Sequence, residues 1–176
     1  MVVGARGKVE WPQKAAAVRV LGLDPGSRAC GWGVVESRGR ELVLVEAGTI
    51  RPPARGEFAR RLLFIHQRLA ELIARTGPAE AAVEGVFSAG NRRSALMLGH
   101  ARGVALLAAA EAGLSVYEYP PAQVKKALVG AGRADKEQVR AMVARLLRRS
   151  EDMGLDTSDA LAVAITHIHS RTLRGL

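Results

Sequence analysis

Residues 20–35 read VLGLDPGSRACGWGVV. The stretch opens as an apolar run, meets one carboxylate at Asp24, turns at Pro25-Gly26 and is apolar again from Trp32. A strand covered on both faces reads as a near-continuous apolar run. An acid at the end of such a strand is costly to bury without a partner, and Pro-Gly turns the chain directly after it. The pattern predicts a strand at the centre of a sheet, with Asp24 as the first ligand of a metal site.

The rest of the chain supplies the neighbours such a strand needs. Arg19–Leu23, Gly31–Glu36 and Glu41–Ile50 read as strands joined by short turns, and so as an antiparallel meander. Glu57–Ala74 carries Phe58, Leu62, Ile65, Leu69, Leu72 and Ile73 at helical spacing, and Gly77-Pro78 stops it. Ala81–Val86 is a short fourth strand, apolar apart from Glu84. Helix Ser94–Ala112 follows, with Gly99 and Gly103 four apart, and then strand Leu114–Tyr119. Helices are expected from Pro121 to about Leu128, over Asp135–Arg149 and over Asp156–Ser170. The expected fold class is α/β: a five-stranded mixed sheet, with strands 1–3 antiparallel, strands 4 and 5 parallel, and helices on both faces. Residues 1–17 show no clear period and read as a mobile N-terminal extension; residues 18–176 read as one domain.

Four acids stand out in this frame. Asp24 and Glu84 end apolar strands whose ends point the same way if strand 4 returns parallel beside strand 1, and that edge of an open α/β sheet is where sites form. Asp156 and Asp159 lie three apart at a helix start and project from one face of its first turn. Taken singly, each has an ordinary reading. Asp24 can simply open an Asp-Pro-Gly turn, Glu84 can be a plain strand-end acid, and Asp156 can be an N-cap with Asp159 at N3. Taken together they fit one metal site. Clustered carboxylates repel unless cations lie between them, and hard oxygen ligands suit Mg²⁺ or Mn²⁺. Two such ions can activate a water and stabilise the leaving oxygen in phosphodiester cleavage.

Charge points to the substrate. There are 26 basic and 17 acidic residues, a net charge of +9 and a pI near 10.7. A balance so basic favours an anionic partner, nucleic acid or an acidic membrane surface. No apolar run is long enough to span a membrane, and the first residues lack the apolar core of a secretion signal. Cys30 is the one cysteine, so no intrachain disulfide forms, which fits a reducing, cytoplasmic location. The window Lys125–Arg149 holds eight basic and two acidic residues. Part of it must be a solvated helix face; phosphate contact is expected of Arg92 and Arg93.

In order along the chain, LGLDPGSRACGWGVV, AAVEGVF, SALMLGHARGVALLAAA, VYEYPPAQVKKALVGAGRADKEQV and LDTSDALAVAITH resemble the RuvC-type Holliday junction resolvases. The resemblance runs from about Arg19 to His169, and the motifs are specific jointly rather than singly. It implies a ribonuclease H-like fold, a homodimer, and Mg²⁺- or Mn²⁺-dependent paired nicking of four-way DNA junctions in recombination and repair, with a branch-migration helicase complex as partner. It implies that Asp24, Glu84, Asp156 and Asp159 are the catalytic, metal-holding acids, with two ions per site. It places Lys125 and Lys136 near the active site and the DNA backbone, and Phe87 at the junction centre. Phe87 reads equally as a staple for the following helix. His100 stands where the family commonly has Gln.

The histidines are not expected to be ligands. His167 is eight residues beyond Asp159, about 12 Å along a helix axis. Three other readings of the chain remain: an actin- or sugar-kinase-like ATPase, for which 176 residues leave no second nucleotide-binding half; a non-catalytic junction-binding protein of the same fold; and a different ribonuclease H-like nuclease acting on RNA–DNA hybrids.

Overall fold

The computed structural model describes residues 17–85, 91–149 and 153–174. Three antiparallel strands, β1 (Val18–Asp24), β2 (Cys30–Arg38) and β3 (Glu41–Ile50), open the fold. Helix α1 (Phe58–Thr76), strand β4 (Glu80–Glu84), helix α2 (Arg92–Glu111) and strand β5 (Ser115–Tyr119) follow. Helices α3 (Pro121–Val129), α4 (Lys136–Leu146) and α5 (Leu155–Arg174) complete it. The sheet order is β3-β2-β1-β4-β5, with β4 parallel to both β1 and β5. This is the expected mixed sheet, with β1 at its centre. The expected N-terminal extension lies outside the described residues apart from Ala17. Among the described residues, no helix is long and apolar enough to cross a membrane.

The apolar run in β1 is explained by cover on both faces. Val20, Leu21 and Leu23 are fully buried. Side chains alternate along a strand, so the two faces carry different sets. Leu21, Leu23, Val34, Ala81 and Val83 pack with Ile65, Leu69 and Ala105 of α1 and α2. Val20, Val35 and Ala82 pack with Val124, Val139, Leu161 and Ile165 of α3, α4 and α5. Helix α5 lies close on β1 and β2 because the strands offer glycine beneath it. A Cβ on Gly22 would fall 1.9 Å from the Ala160 carbonyl oxygen, and one on Gly31 would fall 1.9 Å from that of Asp156.

The same alternation places the acids. Asp24 is two residues beyond Gly22 and four beyond Val20, so it faces α5. Glu84 shares the parity of Ala82 and faces α5 as well. The sheet therefore delivers both carboxylates to one face, at one edge, under the start of α5.

At the opposite edge the α5 face carries a buried polar network. His167 is 1% exposed. Its Nε2–H donates to Glu80 Oε2 at 2.6 Å, and its Nδ1 accepts from the Tyr119 hydroxyl at 2.7 Å. Arg171 also donates to Glu80, and the Tyr117 ring lies 4.3 Å from the imidazole, centroid to centroid. Burial works against the Glu80 carboxylate, but the bonds from His167 and Arg171 outweigh it and lower its pKa from the usual 4.5. The stability Glu80 contributes is therefore present above the ordinary glutamate range and is lost as pH falls through the lowered value. Replacing His167 by Leu strips a buried hydroxyl and a carboxylate of one partner each. The variant is expected to lose about 1–3 kcal/mol, read as a fall in the urea midpoint at unchanged m.

Candidate active site at the ends of β1 and β4

Each candidate acid is held by a different element. Asp24 closes β1, and the Pro25-Gly26 turn beyond it is braced by Arg61 of α1, whose guanidinium donates to the Ser27 carbonyl. Glu84 closes β4, where the next residue, Gly85, donates its N–H to the Tyr119 carbonyl at 2.8 Å. Asp156 and Asp159 ride the first turn of α5. That helix begins at Leu155, one residue earlier than expected, and Ser158 N–H bonds the Gly154 carbonyl at 2.9 Å. Asp156 is thus inside the helix, and the N-cap reading of it fails. Thr157, between the two acids, shares a 3.0 Å hydrogen bond with Thr49 of β3, which ties the start of α5 to the sheet.

The four carboxylates share one field. Burial pushes the Asp24 pKa up from 3.8 to about 7, and the charges of Asp159, Glu84 and Asp156 push it the same way. Glu84 is raised by burial and then by Asp159, while Lys136 and Lys125 oppose the rise. The Lys136 ammonium, raised chiefly by Asp159, sits 3.2 Å from Asp159 Oδ2. Glu84, Lys125, Lys136 and Asp159 line a cleft of about 170 Å³ together with Pro121, Val124, Val139 and Ala162. Asp135 places Lys136 by capping α4: its side chain accepts from Gln138 N–H at 2.8 Å, and Gln138 returns the bond at 3.1 Å.

Of the residues singled out in the sequence, Asp24, Glu84, Asp156, Asp159, Lys125 and Lys136 are gathered here. Arg92 and Arg93 are exposed at the start of α2, where Asn91 caps Arg93 N–H at 2.9 Å. Phe87 lies outside the described residues. His100 is exposed on α2; its Nδ1–H donates to the Leu96 carbonyl at 2.7 Å, and its ring meets Phe58 edge-on. Arg51 was not expected. It follows the last residue of β3, and its guanidinium lies 3.9 Å from Asp156 Oδ2. The sequence carries a signal for it only once β3 is known to end beside α5.

The donor set can be tested against divalent cations on its own chemistry. It is oxygen-only, it comes from three separate elements, and at Asp24 the negative charge is strongly disfavoured without compensation. Mg²⁺ and Mn²⁺ take such ligands, so the residues fit. Among the described residues, no three His, Cys, Asp or Glu side chains stand close enough to enclose an ion as they lie. The four acids share a field across the cleft mouth rather than a closed coordination shell.

The chain is similar in sequence and fold to known proteins. The family model described as crossover junction endodeoxyribonuclease RuvC matches residues 20–167. The protein of that name from Azorhizobium caulinodans is 53% identical over 154 residues, spanning 88% of this chain and 91% of that protein. The structure of Thermus thermophilus RuvC in complex with a Holliday junction substrate superposes with a TM-score of 0.85 at 36% identity, covering 89% of this chain and 96% of that one. The yeast mitochondrial Holliday junction resolvase Ydc2, at 10% identity and a TM-score of 0.64 over 88% of this chain and 81% of its own, shares the fold. The ribonuclease H-like architecture and the motif order therefore lead to one assignment: the chain belongs to the RuvC family of crossover junction endodeoxyribonucleases.

Proposed function

We propose that this protein resolves four-way DNA junctions by paired nicks, with Asp24, Glu84, Asp156 and Asp159 as the acids that hold the catalytic cations. The observation that carries the reading is the placement of the acids: Asp24 and Glu84 end the parallel neighbours β1 and β4, and the α5 turn bearing Asp156 and Asp159 rests on Gly31, the ladder partner of Asp24. Family membership implies divalent-metal dependence. The proposed ions are Mg²⁺ or Mn²⁺, two per site; when bound, they supply activation of the attacking water and neutralisation at the leaving oxygen. The chain's own residues do the rest. The four carboxylates fix where positive charge can sit. Lys136 and Lys125 hold phosphate oxygens beside them as point charges. Val124, Val139 and Ala162 give the cleft an apolar floor beneath these charges.

A four-way junction has two-fold symmetry, and so does a C₂ dimer. The proposed dimer face is α2. Leu96 and Leu107 are 64% and 52% exposed, and they line an apolar groove with Leu62, Gly99, Gly103 and Val104. Leu107→Glu should leave the fold intact, because the side chain is already half in water. It should also dissociate the dimer in sedimentation equilibrium and slow the second nick relative to the first. A branch-migration complex acting on the same DNA is the proposed partner in the cell.

The functional test compares a synthetic four-way junction, a linear duplex of the same sequence and an RNA–DNA hybrid, each with Mg²⁺ or Mn²⁺. Symmetric nicks in two strands of the junction alone support the reading. Equal cutting of the hybrid supports a different ribonuclease H-like nuclease, and tight junction binding without cleavage supports a binding protein.

A further inference from the structure

We propose that Arg51 is a second anchor for the DNA backbone, set on the β3 side of the acid cleft and facing Lys125 and Lys136 across it. The inference deepens the nuclease reading above and rests on it. Four observations carry it. First, parity along β3 puts Arg51 on the α5 face with Thr49, whose hydroxyl bonds Thr157 at 3.0 Å. Second, its backbone is fixed on both sides: Ile50 pairs with Cys30 in the ladder, and Pro52, buried behind it, restricts the preceding residue to extended conformations. The side chain therefore springs from a rigid base at the mouth of the site.

Third, its donors are little used within the protein. The contact with Asp156 is 3.9 Å long, with the two side chains 67% and 39% exposed. An ion pair so open and so long contributes little to stability, and among the described residues Arg51 has no shorter polar contact. A guanidinium has five donors in a planar fork suited to phosphate oxygens, and here they open to solvent beside a carboxylate of the proposed cation site.

Fourth, the sheet order sets the spacing. β3 and β4 are three ladder steps apart, about 14 Å, with Asp24 on β1 between them and Glu84 at the end of β4. The Glu84–Asp159 side already has its cations in Lys125 and Lys136. On the Asp156 side Arg51 supplies one, so a strand crossing the acids meets positive charge before and after the cut. Arg51 then serves a different phosphate from the one at Lys136.

Binding without chemistry tests this. Arg51→Gln, Arg51→Lys and wild type are titrated against a fluorescent four-way junction and a linear duplex, in EDTA, over a series of salt concentrations. Arg40→Gln is the control; Arg40 is exposed at the β2–β3 hairpin tip, about 35 Å away along β3. Loss of one phosphate contact predicts that the slope of log K against log salt shrinks by about 0.9 in Arg51→Gln, with about five- to tenfold weaker binding near 0.1 M salt. Arg51→Lys should restore the slope, and Arg40→Gln should match wild type. Equal slopes for Arg51→Gln and wild type overturn the proposal. If that variant keeps the wild-type slope yet loses cleavage with Mn²⁺, Arg51 acts through Asp156 instead, and the proposal is again overturned. Absence of any junction preference in wild type overturns the junction reading, while the slope difference on duplex still decides Arg51.

Discussion

Asp24→Asn should bind a four-way junction as wild type does and cut it at least about a thousandfold more slowly, since several kcal/mol of transition-state stabilisation depend on the cation charge it helps to hold. The change keeps the shape of the side chain and removes its charge. It should also stabilise the metal-free protein. The Asp24 pKa is raised to about 7 by burial and by Asp159, Glu84 and Asp156. An acid raised on folding contributes stability that is fully present below its ordinary value near 3.8 and is lost as pH rises through about 7. The asparagine is neutral throughout, so above pH 7 the variant should melt higher than wild type in EDTA. Mn²⁺ should narrow the gap by raising the wild-type Tm more. Cleavage at the wild-type rate by Asp24→Asn, with purity verified, removes the metal role assigned to this residue.

Gly31→Ala is expected to have the largest effect on stability among single-methyl additions. The new Cβ would lie 1.9 Å from the Asp156 carbonyl oxygen and 2.4 Å from its carbon. Both are backbone atoms. They belong to the first turn of α5, while Gly31 belongs to β2 and pairs with Asp24 in β1 and Thr49 in β3. Neither can yield without moving the start of α5. The cost should reach about 3 kcal/mol or more, read from denaturant midpoints. Because Asp156 and Asp159 ride on that turn, residual folded protein should also cleave poorly even at saturating Mn²⁺. Gly99→Ala is the contrast: nothing lies within 4 Å of its added Cβ, so the monomer should tolerate it and α2 should gain about 1 kcal/mol of helix propensity.

The frame of the fold is legible in the sequence because it depends on local pattern. The apolar run before Asp24, the turn chemistry at Pro25-Gly26 and the helical spacing in α1 each follow from neighbours in the chain. The pairing of Asp24 with Glu84 is legible too, once β4 is taken as parallel to β1, because both acids end strands of known parity. What the sequence conceals is tertiary. Gly22 and Gly31 look like ordinary strand glycines until α5 is seen to rest on them. Arg51 looks like a solvated arginine before Pro-Pro until β3 ends beside Asp156. His167 sits too far along α5 for its sequence position to suggest a role, and its buried network depends on Glu80 and Tyr119, 87 and 48 residues away. Asp156 read alone suits an N-cap, and only the helix boundary rules that out.

The most direct test is to locate Mn²⁺ by anomalous scattering in crystals of the protein bound to an uncleaved junction. Peaks are expected at about 2.0–2.2 Å, octahedral ligand distance, from carboxylate oxygens of Asp24, Glu84 and the Asp156–Asp159 turn, against a backbone phosphate. Manganese bound elsewhere, or a scissile phosphate held far from these four side chains, contradicts the account.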